Sequence, residues 1–278
     1  MPRFNLTIII ILILLVILLV LSRKKYKNHT YRSESLNIFQ EPAYYRHFNK
    51  LDRELRKCGS NSSECQRYYQ KNILDFSKLE RKMLDQVVQD IHQLRGSNFS
   101  KIFRNIKFSK VNSNIENGMP HTRKNVIVFS DRYYSQMLDK FQLDPGFIKN
   151  DTFFLRLIAH EQFHIFQRLH PEVMSNFYQN FWNLKLLHKK LPPHLLEVNR
   201  TNPDALPDQN WLFPLSNEDY ALPLCVFQEK RNHINDTVNI WVRVKIHQGK
   251  VSFGKLDRNQ RLSDLSEYGD YFGYYGAN

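Results

Sequence analysis

Apolar positions are distributed along this chain in three ways. Ile8 to Leu21 is an unbroken apolar run inside the uncharged stretch Phe4–Leu21, and at about 1.5 Å per helical residue it approaches the thickness of the bilayer hydrocarbon core. It predicts a transmembrane anchor over residues 1–22, followed by a basic and polar linker over 23–42. Further on, Ile73, Phe76, Leu79, Met83, Val87, Ile91 and Leu94 recur at three- and four-residue spacing before Gly96. That spacing predicts a helix over Ser63–Arg95, with a shorter one over Ala43–Lys57. The third pattern is short and β-like. Ile102–Val111 and Asn125–Phe129 read as strands and Asp131–Phe141 as a helix, and beyond the proline-bearing loop Leu191–Pro214 the runs Tyr220–Glu229 and Thr237–His247 read as a hairpin or small sheet. The expected fold class is α+β, one domain over residues 43–278 in which a small sheet packs on helices.

The segment Asp151–Leu169 (DTFFLRLIAHEQFHIFQRL) contains neither Gly nor Pro; Asp151 or Thr152 can cap its start and Pro171 can end it. Phe154, Leu157, Ile158, Ile165 and Leu169 cluster on one side and Ala159, Phe163 and Phe166 on another, which predicts a helix buried nearly all round. Within it His160-Glu161-Gln162-Phe163-His164 is an H-E-x-x-H motif. Positions i and i+4 share a helix face, so both imidazoles can reach one metal ion while Glu161 approaches a water on it. Zinc lowers the pKa of such a water to about 7, and a carboxylate beside it takes the proton and later hands it to the leaving group. The candidate roles are His160 and His164 as Zn2+ ligands and Glu161 as catalytic base and acid. The plainer alternative is a pair of hydrogen-bonded core histidines with a solvated glutamate.

The stretch Asn117–Thr122 (NGMPHT), Asn125–Phe129 (NVIVF), the HEQFH helix followed by Gln167-Arg168, the pair His170-Pro171, and Asn202-Pro203-Asp204 ahead of Trp211 together resemble an uncharacterised zincin-like metallopeptidase family of large DNA viruses and environmental sequences. The resemblance covers Ile115 to Asn278. It implies a gluzincin-type site in which a distant downstream glutamate completes the zinc shell. In the resembling proteins a tract similar to Ser266–Gly273 (SEYGDYFG) is followed by a His-Pro-x-Glu segment, whereas no such segment follows here before Asn278. The third ligand is then Glu267, Glu218, Asp219, Glu229 or a residue beyond Asn278, the last implying a domain truncated at its C-terminus. Two histidines alone bind zinc much less well than three protein ligands.

Other residues near these motifs carry weaker expectations. His121 precedes a β run, and on an edge strand above the active-site helix it would face substrate and stabilise an oxyanion; a turn histidine is the plainer reading. Asn202-Pro203-Asp204 reads as a turn. His170 and His188 do not follow the H-x-x-G-x-x-H extension of metzincins, so neither is a natural third ligand.

Charge bears mainly on placement. The formal charge is +13, and Arg3, Arg23, Lys24, Lys25 and Lys27 belong to the anchor and its flanks. The remaining cations are spread out with no basic stripe, so no nucleic-acid partner is expected. The flanking charges set the body of a single-pass protein on the cytosolic side. Against that stand seven Asn-x-Ser/Thr sequons, at Asn5, Asn28, Asn61, Asn98, Asn150, Asn199 and Asn235. Cys58 and Cys65 can close a small loop and leave Cys225 over. The sequence thus points to a membrane-anchored zinc-dependent metallopeptidase acting on protein or peptide, or to an inactive relative serving as a membrane-tethered binding or virion structural protein.

Overall fold

The structure, a computed structural model, describes residues 29–30, 32–94, 105–202, 204, 209–216 and 218–255. It is α+β and contains two sheets. The first is organised by β4 (Val126–Ser130), whose sequence VIVFS is buried at every position. An apolar run without polar alternation is what a strand covered on both faces requires. β4 pairs in parallel with β2 (Phe108–Val111) and antiparallel with β3 (His121–Arg123), and with β1 (Ile73–Leu74) the order is β1-β2-β4-β3. β3 is therefore an edge strand.

Ile127 and Phe129 of β4 face a layer formed by α5 (Lys78–Leu94), α6 (Asp131–Leu143) and α7 (Thr152–Leu169), which contribute Met83, Leu84, Val87, Met137, Phe154 and Ile158. Val126 and Val128 face the opposite layer, built from α1 (Arg32–Ile38), α2 (Pro42–Arg46), α3 (Lys50–Leu55), α4 (Ser62–Lys71) and the residues between them, with Phe39, Tyr45, Phe48 and Tyr69 fully buried. The residues expected to form a linker therefore belong to the fold from His29 onward. Thr30 N donates to Phe108 O at 2.9 Å, and Ser35, Ile38 and Phe39 are buried.

Both long N-terminal helices expected from periodicity are interrupted, each at an asparagine. Asn72 ends α4, and β1 follows. Ser77 then opens α5 with reciprocal bonds, Ser77 N to Glu80 Oε2 at 2.7 Å and Glu80 N to Ser77 Oγ at 3.2 Å. Asn49 likewise splits the Ala43–Lys57 segment: its side chain accepts from Asp52 N at 2.8 Å and its own N–H donates to Asp52 Oδ2 at 3.2 Å. These are capping boxes, which satisfy the orphan donors of a helix start. Cys58 and Cys65 form a disulfide, and Cys225 is a buried free thiol. Closing so short a loop restricts the unfolded chain by about 2.5 kcal/mol in the chain-entropy description, so a Cys58→Ser, Cys65→Ser double variant is expected to lose that much in urea unfolding.

The second sheet follows α8 (Pro171–Asn180) and is a five-stranded antiparallel meander: β5 (Lys185–Leu187), β6 (Asn210–Pro214), β7 (Asp219–Phe227), β8 (Thr237–His247) and β9 (Lys250–Lys255). The short helix α9 (Pro193–Leu196) lies between β5 and β6. Trp211, Phe213 and Ala221 pack on Met174 and Tyr178 of α8, while Leu212, Leu222 and Val244 form a separate apolar face. Pro223 sits within β7 beyond its pairing with β6, which ends at Ala221, and before the bridge of Val226 to Asn199. It occupies a gap where β7 needs no donor on that side.

The membrane reading is corrected. Among the described residues no helix is long and apolar enough to cross a membrane; the longest, α5 and α7, carry charged residues along their length. The anchor expected at Phe4–Leu21 lies outside the described residues, so single-pass placement finds no support in the fold.

Candidate metal and hydrolytic site

α7 carries the H-E-x-x-H residues, and its start is fixed by Asp151, whose side chain accepts from Phe154 N at 2.9 Å. The helix is not buried all round. Phe154, Ile158 and Ile165 face the core, but Phe153, Phe163 and Leu169 are exposed. The polar motif falls on the border. Glu161 and His164 are buried and His160 is open to solvent, so one end of the site can be reached from outside.

His160 Nε2 and His164 Nε2 approach to 3.0 Å. That is a hydrogen-bond distance, the contact the plainer reading expects of paired histidines, and it lies a few tenths of an ångström short of the roughly 3.3 Å that separates two imidazole nitrogens on one tetrahedral zinc. His164 Nδ1 lies 3.0 Å from Gln167 Oε1, and Gln167 Nε2 donates to Tyr178 OH at 2.7 Å. A histidine whose Nδ1–H is engaged presents a bare Nε2, the tautomer a metal needs. Loss of hydration and the neighbouring His164 hold the His160 imidazole below its ordinary pKa, with Asp204 opposing. Glu161 Oε2 is buried without a hydrogen-bond partner. Burial, and then the negative charge of Asp204, push its carboxyl well above the usual range, against the pull of Arg168.

The edge strand β3 packs on α7, and its outer edge is occupied. Asp204 Oδ1 accepts from Thr122 N at 2.6 Å and from Thr122 Oγ1 at 2.7 Å. Arg168 on α7 donates to Thr122 Oγ1 at 2.9 Å and to Lys124 O at 2.7 Å. Asp204 thus ties the loop after α9 to the strand above the motif, a role beyond the turn read in the sequence. The Asn202 side chain does make that turn, accepting from Asp204 N at 2.9 Å. Replacing Asp204 by Ala leaves the buried Thr122 N–H without its acceptor and is expected to cost about 1–3 kcal/mol in chemical denaturation; an unchanged midpoint would show that Thr122 finds another acceptor.

His121 is neither a turn residue nor open to a substrate. It is fully buried in β3, its Nδ1 lies 3.1 Å from Met119 O, and its Nε2 has no partner. The third-ligand candidates are not brought to the site. Glu218 is exposed on His247 Nδ1 at 2.8 Å, Asp219 pairs with Arg243 across the β7–β8 ladder, Glu229 is exposed after β7, and Glu267 lies outside the described residues. Among the described residues no group of three His, Cys, Asp or Glu could hold a metal ion, so the metal-binding group read from the motif is corrected there to the pair His160 and His164, with Glu161 buried on the same helix.

Sequence reasoning passed over a buried, heavily bonded carboxylate, Glu116. Glu116 sits in the 3-10 turn Ile115–Gly118, where Glu116, Asn117 and Gly118 take φ of 47°, 54° and 77°. This left-handed run is costly for the two non-glycine residues, and it turns the Glu116 carboxylate inward. There it accepts from Arg56 Nε at 3.0 Å, Tyr44 OH at 3.0 Å and Tyr69 OH at 2.5 Å. Arg56 also donates to Asp52 and to Thr201 O. Burial alone would raise the Glu116 carboxyl, but Arg56, and after it His121, hold it far below the ordinary range. The Asn117-Gly118 pair announced a turn; nothing in sequence announced its buried cargo. Comparison with protein-family models, with curated proteins and with solved structures finds no match to this chain.

Proposed function

We propose that this protein is a metal-dependent hydrolase, a peptidase in which His160 and His164 hold a zinc ion and Glu161 handles the proton. The observation that carries the reading is the 3.0 Å approach of His160 Nε2 to His164 Nε2, on the same helix as a buried Glu161 oxygen that has no hydrogen-bond partner. Bound there, zinc would supply Lewis acidity and make water acidic enough to deprotonate near neutral pH. Gln167 orients His164 by holding Nδ1, and Tyr178 orients Gln167. Glu161, one residue from His160 and shielded from bulk water, accepts the proton of the attacking water at its free oxygen and returns it to the leaving amine.

The missing third ligand favours a second reading, an inactive zincin-like protein that binds without cleaving. Zinc stoichiometry on the purified full chain separates the two. About one zinc per chain, lost in a His160→Ala, His164→Ala variant, is the expected result. A chain that holds no zinc at micromolar free metal supports the inactive reading.

A further inference from the structure

Beyond the motif helix lies a cleft of about 680 Å³ between the N-terminal helical layer and the meander, a volume in the range of small-molecule sites. Arg46, His47, His188, Lys189, Lys190 and Arg200 line it, and among the described residues no Asp or Glu does. Most of these cations are exposed at the rim, but Arg200 is 9% exposed. Its Nε is buried without a partner, and among the described residues its side chain takes part in no ion pair. A buried guanidinium is ordinarily paired. The carboxylates nearby are already committed, Asp52 to Arg56 and Thr201, and Glu116 to Arg56 and two tyrosines. The cleft floor therefore presents a buried guanidinium with no hydrogen-bonded or ion-paired carboxylate, its charge felt by Glu116 only from a distance, and a planar guanidinium is the group best suited to phosphate. Tyr44, Phe48, Leu191 and Leu224 supply apolar walls beside it.

We propose that this cleft binds a small organic phosphate, its phosphoryl group on Arg200 with Lys189 and Lys190 above and its body against the apolar walls. The site is independent of the hydrolase reading. A single deep cation with apolar walls suits one compact anion better than an extended acidic peptide, which would need charges spaced along a groove.

Isothermal titration of the full chain with phenyl phosphate, inorganic phosphate and phenol, at low ionic strength, tests it. Phenyl phosphate is expected to bind one to one and more tightly than inorganic phosphate, with no binding of phenol. Arg200→Gln is expected to weaken phenyl phosphate by about tenfold or more, the worth of a charge-assisted bidentate contact. Should that variant fail to fold, a Lys189→Gln, Lys190→Gln variant altered only at the exposed rim is expected to weaken binding about threefold. No saturable binding at millimolar ligand overturns the proposal. So do equal affinities for wild type and Arg200→Gln, and so does preference for a hexaglutamate peptide over phenyl phosphate, which would make the cleft a peptide-docking surface.

Discussion

Glu116→Gln is expected to destabilise the fold by about 3–5 kcal/mol, because it leaves the buried Arg56 guanidinium without its main counter-charge while removing a strong acceptor from Tyr44 and Tyr69. Urea or guanidinium unfolding measures this directly, with the exposed Glu54→Gln as a control. A triple variant, Arg56→Met with Glu116→Gln and Asp52→Asn, is expected to recover part of the loss, since Arg56 and both carboxylates paired with it are then removed together. A single-variant cost below about 1 kcal/mol would mean the network is solvated and the pairing incidental. The same residue sets an acid limb. Its folded pKa lies below the unfolded carboxyl value of about 4.3, so its contribution is complete above that value and is lost as pH falls through it toward the folded pKa. Stability against pH should therefore be flatter in Glu116→Gln below about pH 5 than in wild type.

Glu161→Gln is expected to reduce any hydrolysis by about 10²–10⁴-fold while the histidines keep their metal, the range for loss of a positioned general base. The paired measurement is kcat/KM on a fluorogenic peptide library together with zinc content. Lost activity with retained zinc separates proton transfer from metal binding. Wild-type rates in this variant would remove Glu161 from the mechanism. The substitution is nearly isosteric, and the carboxyl it replaces already titrates above the usual range because of burial, so the fold should tolerate it.

Legibility in the sequence followed the range of the forces involved. α7, β4, β7 and β8 are stated by local apolar runs and were placed within a few residues. The Cys58–Cys65 pairing was also open to arithmetic, because only nearby thiols close so small a loop. What failed locally was the reading of periodicity through Asn49 and Asn72, although N-x-x-D and S-x-x-E were both there to mark new helix starts. β3 is three residues long and polar in sequence. Its burial comes from Asp204 and Arg168, both distant in the chain, so no local pattern could announce it. Glu116 is the extreme case: its partners Tyr44, Arg56 and Tyr69 all lie far upstream, and a lone Glu before Asn-Gly reads as solvated turn. The motif residues were found because their spacing is local. A third ligand was not legible because it would come from a part of the chain distant from the motif.

The two sheets also differ in when they can form during synthesis. Every pairing in the meander joins a strand to its neighbour in the chain, and from β6 to β9 the connections are short, so that part needs little search. The other sheet cannot begin so simply. Ile73 must wait for Val111 across the whole of α5, and β2 must wait for β4. As the chain leaves the ribosome N-terminus first, Phe39, Tyr45, Phe48 and Tyr69 emerge together well before Val126 and Val128 exist to cover them. That aromatic cluster is a surface a nascent-chain chaperone would meet before the first sheet can cover it.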